Sequence, residues 1–465
     1  MFNLNSENIP VFAVQCATGV ASILLVITLY TNSISKEPLT IDKKRRRKKK
    51  SKKQENSSEH SAVKCPYYSG LVNLGNTCFL NSILQSLAAL KHLRGYLEKC
   101  CVYDLSNSDL ENIPITFSLN RTVYELSRPL KHKKIISPYD ILKSLDKKKS
   151  WISSRQEQDA HELFQLISSW LSEEAENVFS SKLSMSPLNL NNERAKLMSQ
   201  EENPIRMVRN PFIGFSAHRI SCVQCGYTDT IKHYAFDNIS LILPRTTKCT
   251  LEECLQNYTS IDSLTDFSCR QCSLNATRCR IMKSLEQATS EPKISLLKKT
   301  LARIEHALAG DLSTELPDIK ITRITSKHTT KQVMFARPPP ILCLHLSRSI
   351  FLSNGMSAKN SCLVEFPVQL DLNPFCTDGH LSVSPLKPIS IHRKTSPDNR
   401  ERSILYTLKS VVVHYGSHYS GHFATYRRQG DESSKRWLRI SDDKVEEVDL
   451  EEVLNCEAYM LFYEK

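Results

Sequence analysis

Apolar and polar positions follow three rhythms along the chain. From Pro10 to Tyr30, "PVFAVQCATGVASILLVITLY", there is no alternation: 21 residues carry no charge and one strongly polar side chain, Gln15. About twenty apolar residues span a hydrocarbon core about 30 Å thick, so this stretch predicts a transmembrane helix. From about Tyr67 the pattern becomes that of a folded domain. Residues Asn81 to Ala89 have helical composition, and Leu163, Phe164, Ile167 and Leu171 recur at helical spacing within residues 154–176. In the later half the period shortens to two. Ile341, Cys343 and His345 alternate with Leu342, Leu344 and Leu346, and "YTLKSVVVHYG", "HFATYRR", "RWLRI" and "AYMLFYEK" also predict strands. Polar insertions interrupt these elements at about 181–203, 285–330, 352–361 and 375–403. Within the second, "ISLLKKTLARIEHALAG" predicts an amphipathic helix stopped by Gly310. There is no internal repeat.

The flanks of the apolar stretch give it a direction. Residues 1–9, "MFNLNSENI", hold Glu7 and no Lys or Arg, whereas ten of the eleven residues from Lys43 to Lys53 are basic. A secretory signal has its positive charge before the apolar run, so an uncleaved single span fits better. The positive-inside rule then puts residues 1–9 across the membrane and the rest of the chain in the cytosol. Residues 31–66 form a basic, Ser-rich linker, and residues 67–465 the main domain. The charge also argues against nucleic acid. Without the basic run the formal charge falls from +13 to +3, and the run shows no aromatic interleaving.

Sixteen cysteines are dispersed over the chain. In a cytosolic domain they read as reduced thiols, metal ligands or a nucleophile, and not as a disulfide framework. Cys78 follows "NLGNT", a turn tolerant of left-handed backbone, and precedes a helix whose dipole would favour a thiolate. Asn73 is placed to donate to a developing oxyanion. The competing reading is a buried core thiol. A base would have to come from His414, His418 or His422; of these His422 follows Ser420-Gly421 and heads a strand. Cys222-x-x-Cys225 and Cys269-x-x-Cys272 form two knuckles suited to structural Zn²⁺ held between adjacent hairpins, with Cys249, Cys254 and Cys279 as alternative ligands. Asp159 and Glu162 share a helix face, either a solvated one or one that meets a cationic partner.

The motifs together resemble one family. "GLVNLGNTCFLNSILQSL" is similar to the cysteine box of the ubiquitin-specific proteases, "RQEQDAHELF" to their following helix and "VVVHYGSHYSGHFATYRR" to their histidine box. "CVQC", "CRQC" and the closing "AYMLFYEK" follow in the same order, so the resemblance covers residues 68–465. It implies an α+β, papain-like fold with thumb, palm and β-rich fingers, the zinc-bearing fingers falling at about 213–282. It implies Cys78 as nucleophile, His422 as base, Asn73 as oxyanion donor, and Asp159 and Glu162 near the arginines of the ubiquitin tail. The bond attacked would be the isopeptide bond after the C-terminal Gly of ubiquitin. At the place where the family usually has Asp or Asn to orient the histidine, this chain has Ser441, followed by Asp442. A hydroxyl can accept the Nδ1–H bond but carries no charge, so the expectation is a Cys78–His422–Ser441 triad with Asp442 as alternative orienter.

The N-terminal span and basic run are like those of the mitochondrial outer-membrane member of that family. The expected partners are therefore ubiquitin, ubiquitinated outer-membrane proteins and the membrane itself, with opposition to mitophagy as the consequence. The endoplasmic reticulum is the alternative location. The competing functions are a protease for another ubiquitin-like modifier and an inactive ubiquitin-binding scaffold.

Overall fold

Among the described residues of 67–185 the helical rhythm resolves into five α-helices, Cys78–Leu87, Lys91–Val102, Pro114–Ser127, Tyr139–Lys148 and Ala160–Met185. The first runs earlier than the composition suggested, beginning at Cys78 itself instead of Asn81. Every residue in it is buried, because it lies between the other helices and a sheet. The helix Pro114–Ser127 follows Ile113, which has no side-chain oxygen to cap it. Glu174, from the last helix of the group, does so instead. Its carboxylate accepts from Ile115 N at 3.1 Å and from Thr116 N at 2.8 Å.

In this computed structural model the described residues are 66–102, 113–153, 158–185, 209–228, 230–326, 328–390, 404–417, 420–430 and 436–465. The predicted span 10–30, the basic run, His418 and much of the insertions 181–203 and 375–403 lie outside them. Among the described residues no helix is long and apolar enough to cross a membrane.

The period-two segments form an eight-stranded sheet. Its order is Lys444–Val448, Trp437–Ser441, Gly421–Arg428, Leu405–Gly416, Ala458–Glu464, Ile341–Ser347 and Ile239–Ile242, with Gln369–Asp371 also pairing Leu405–Gly416. Strand Ala458–Glu464, later in the chain than all the others, is therefore central. Strand alternation divides the sheet's side chains between two cores. Val412, Phe423, Met460, Phe462, Ile341 and Cys343 join the helices on one face. Val411, Val413, Ala424, Leu461, Leu342 and Leu344 fill a second core on the other. With both faces covered, near-continuous apolar strands such as Ile341–Ser347 follow.

A separate four-stranded sheet, in the order Lys232–Phe236, Gly214–Cys222, Thr329–Arg337 and Asp262–Leu264, forms the β-rich extension. Appended to it are two helices, Arg270–Glu286 and Glu291–Ala309. The second is the amphipathic helix expected in the insertion, and Gly310 follows its last turn. Leu274, Ile281, Ile304 and Ala307, with Leu316 and Ile319 from the following loop, give this pair a small core of its own.

Candidate active site

The turn before Cys78 is organised by one side chain. Asn73 Oδ1 accepts from Gly75 N at 3.0 Å and from Thr77 N at 3.1 Å. Gly75 at φ +104° and Asn76 at φ +54° supply the left-handed backbone that the turn needs. Thr77 Oγ1 is turned back to accept from Leu74 N at 2.9 Å, so the helix starts without a side-chain cap, its positive dipole end at Cys78. Cys78 itself is buried, 5% exposed, and its helix packs against strand Gly421–Arg428.

That strand carries His422 and pairs antiparallel with Trp437–Ser441, Thr425 opposite Ile440. His422 Nε2 and Ser441 Oγ lie 2.8 Å apart. The nitrogen facing Ser441 is thus Nε2 and not the expected Nδ1, because the ring presents its far edge to the neighbouring strand. Asp442 Oδ2 stands 3.9 Å from the same nitrogen, beyond hydrogen-bond range. Its oxygens are engaged elsewhere: Asn73 Nδ2 donates to Oδ2 at 2.9 Å, and Asn81 Nδ2 to Oδ1 at 2.7 Å. The Asp442 carbonyl accepts from Leu71 N at 2.9 Å. Asp442 occupies the left-handed region, φ +52°, in a two-residue turn between Ser441 and Lys444. Gly70 allows this close approach, since a Cβ there would stand 2.5 Å from the Asp443 carbonyl oxygen.

Beside this assembly is a cleft of about 300 Å³, reached by Asp159, His161, His345, His414 and Tyr459. Asp159 lies one residue before its helix and caps it, accepting from His161 N at 2.6 Å and Glu162 N at 3.2 Å, while Tyr459 Oη donates to its Oδ2 at 2.6 Å. Asp159 therefore sits at the cap position and not inside the helix, its carboxylate reaching the Glu162 backbone. Asp159 lines the cleft, and Glu162 is exposed outside its lining. The rings of His161 and His345 stack 3.8 Å apart. Burial, then the neighbouring His161, pushes His345 down to about 3. His414, two residues before the end of its strand, packs against the ring of Phe423, 4.5 Å between centroids.

Sequence reasoning found Asp442 only as an alternative orienter, and missed Asn81 and the stacked histidines. Asn81 is the fourth residue of its helix, and the carboxylate it meets is 361 positions away.

The four cysteines of the two knuckles do converge. Their sulfurs lie within 4.8 Å of one another, with Cys222–Cys272 at 3.9 Å and Cys225–Cys269 at 3.6 Å. A tetrahedral Zn²⁺ with thiolates at about 2.3 Å has sulfur–sulfur edges of about 3.8 Å, so the cluster could bind a metal ion. Burial, with the neighbouring sulfurs, pushes the Cys269 and Cys272 thiols up, Cys269 to about 11; a divalent cation among them would favour the thiolates. The first pair turns after strand Gly214–Cys222, with Gly226 at φ +74°. The second sits on the first turn of helix Arg270–Glu286, where Cys269 Sγ accepts from Cys272 N, so a helix replaces the second hairpin that was expected. Of the alternative ligands, Cys249 and Cys254 pair 3.7 Å apart in the second core, and Cys362 lies 3.6 Å from Cys249.

Comparison with known proteins agrees with this fold. The ubiquitin carboxyl-terminal hydrolase family matches residues 69–463. Ubiquitin carboxyl-terminal hydrolase 30 of Xenopus tropicalis is 28% identical over 459 residues, covering 85% of this chain and 80% of its own. The Homo sapiens protein of the same name is 27% identical over 474 residues, covering 85% and 84%. Among solved structures, a chain of the SAGA Ubp8/Sgf11/Sus1/Sgf73 DUB module bound to ubiquitin aldehyde superposes with a TM-score of 0.55 at 20% identity, covering 88% of this chain and 71% of that one.

Proposed function

We propose, for a chain that belongs to the ubiquitin carboxyl-terminal hydrolase family and is a cysteine-type deubiquitinase, that Cys78, His422 and Ser441 act together on ubiquitin. The observation carrying this reading is the 2.8 Å contact between His422 Nε2 and Ser441 Oγ beside the Cys78 helix. With Nε2–H donating to Ser441, the lone pair on Nδ1 is left to take the Cys78 proton. The thiolate attacks the carbonyl of ubiquitin's C-terminal Gly, and Asn73 donates to the oxyanion. An amide nitrogen carries two hydrogens, so Asn73 can do this while still bonded to Asp442. His422 protonates the departing lysine amine, then activates water to hydrolyse the acyl-enzyme. Ser441 orients the imidazole, and Asp442 holds Asn73 and Asn81 in place.

The cleft at Asp159 would take the ubiquitin tail, its carboxylate facing basic side chains there, with Glu162 on the exposed rim. Cys222, Cys225, Cys269 and Cys272 would hold a structural Zn²⁺, a closed shell with no open position. Residues 10–30 would anchor the protein in the outer mitochondrial membrane with the catalytic domain facing the cytosol. There it would act on ubiquitinated membrane proteins and so oppose mitophagy.

Ubiquitin bearing a C-terminal electrophile tests the chemistry. It should form an adduct at Cys78 that disappears in Cys78→Ala, whereas other ubiquitin-like modifiers with the same group should react far more slowly. Full activity in Ser441→Ala beside none in Asp442→Ala would make Asp442 the orienter. Loss of membrane association on deleting residues 10–30 tests the anchor.

A further inference from the structure

The contact between the Cys78 helix and the His422 strand is polar where apolar packing would suffice. Phe423 belongs to the helix-side core, but two and four residues on the same face of the strand bring Thr425 and Arg427, both fully buried. The helix meets them with a buried polar stripe, Ser82, Gln85 and Ser86. Thr425 Oγ1 donates to the Ser82 carbonyl at 2.7 Å and lies 3.4 Å from Ser86 Oγ. Arg427 Nη1 donates to Gln85 Oε1 at 2.9 Å, and Nη2 to the Leu126 carbonyl at 2.8 Å. Gln85 Nε2 in turn donates to the Ser69 carbonyl at 3.0 Å, just before the turn that leads to Cys78.

A buried guanidinium is costly unless its donors are met, and here neutral oxygens meet them, with the Tyr68 ring 5.4 Å away. Apolar packing tolerates a small slip, whereas hydrogen bonds of this length do not. Sliding the helix by one residue moves it about 1.5 Å and turns it by about a quarter of a circle, which would break both contacts at once. Cys78 is one helical turn before Ser82, and His422 is three residues before Thr425. Any slip at the seam is therefore carried to the reacting pair.

We propose that the buried seam of Thr425 and Arg427 against Ser82 and Gln85 is a positioning device that sets the register of Cys78 against His422. It rests on the reading of those two residues as nucleophile and base. Thr425 and Arg427 are positioning residues and touch no substrate.

The test uses the full chain with a fluorogenic ubiquitin substrate, together with site-resolved alkylation of Cys78 by iodoacetamide across pH. Thr425→Val and Arg427→Met should lower kcat about tenfold to a hundredfold, with KM within about twofold, as misplacement of reacting groups does. In both, the pH midpoint of Cys78 alkylation should move toward that of an ordinary thiol, and Thr425→Ser should restore both readouts. Wild-type kcat and alkylation profile in Thr425→Val would overturn the proposal, even if its melting temperature fell. If Arg427→Met does not fold, the Thr425→Val and Thr425→Ser pair decides alone. Retained turnover in Cys78→Ala would instead overturn the nucleophile reading and the seam's role with it; loss in Cys78→Ala beside unchanged Thr425→Val overturns the seam only.

Discussion

The cysteine cluster draws its sulfurs from two short local turns, Cys222–Cys225 and Cys269–Cys272, each recognisable within four residues of sequence. The Cys78 site instead depends on pairs 361 and 369 positions apart, Asn81 and Asn73 with Asp442. One site needs four like atoms at one distance; the other needs unlike groups held at the ends of rigid elements. The difference teaches where tolerance lies. Each knuckle fixes its own two sulfurs within one local turn, whereas the catalytic groups depend on a helix, two strands and a hairpin turn arriving together.

Cys78→Ala should give the largest effect, a loss of turnover on the order of 10⁴-fold or more, with ubiquitin affinity kept. A steady-state assay beside a binding titration checks it, and detectable wild-type turnover would break the contrast at its strongest point. Next comes Asp442→Ala, which releases both asparagines. Turnover should fall by roughly 10²–10³-fold, the scale seen when an oxyanion donor is lost, and the double change with Asn73→Ala should add little further.

On the other side of the comparison, Cys272→Ser should lower the melting temperature by roughly 5–10 °C and release zinc to a chromogenic chelator, with Cys78 still reactive toward the electrophile. Abolished reactivity at an unchanged melting temperature would mean that the two sites are not separate. The smallest effect is that of pH on the stacked pair. Unfolded, His345 takes up its proton near pH 6.5; folded, burial beside His161 defers this to about 3. Between those values the unfolded state holds more protons, so stability falls as pH falls, by up to about 1.4 kcal/mol per unit. Urea unfolding at pH 7 and 5.5 should differ by about 1 kcal/mol, and His345→Gln should flatten that difference.

What could be read from the sequence follows the same division. The helix at 294–310, the strand Ile341–Ser347 and the two cysteine pairs each announce themselves within a few residues, since period and spacing are local. Helical composition shows only from Asn81, three residues after the helix begins, because Cys, Phe and Leu carry no start signal there; the turn held by Asn73 provides it. Asp159 reads as a helix residue for a similar reason, as cap and first-turn acids look alike in sequence. The histidine's orienting nitrogen and the engagement of Asp442 were beyond reach, because both are decided by how strand Gly421–Arg428 lies against its neighbour. The arginine in the seam gave no sign either. It is one of two adjacent arginines ending a strand, and the strand's alternation turns Arg427 inward.

Strand Ala458–Glu464 lies between Leu405–Gly416 and Ile341–Ser347, although it follows both in the chain. On the ribosome, its neighbours emerge with a gap between them that nothing yet fills. The wall between the two cores thus closes only after nearly the whole domain has been made, and the Cys78 helix must wait for a partner surface formed hundreds of residues later. A premature stop that removed these few residues would delete a middle strand and leave two edges open for pairing with other chains. For this domain, a late nonsense mutation should be as damaging as an early one.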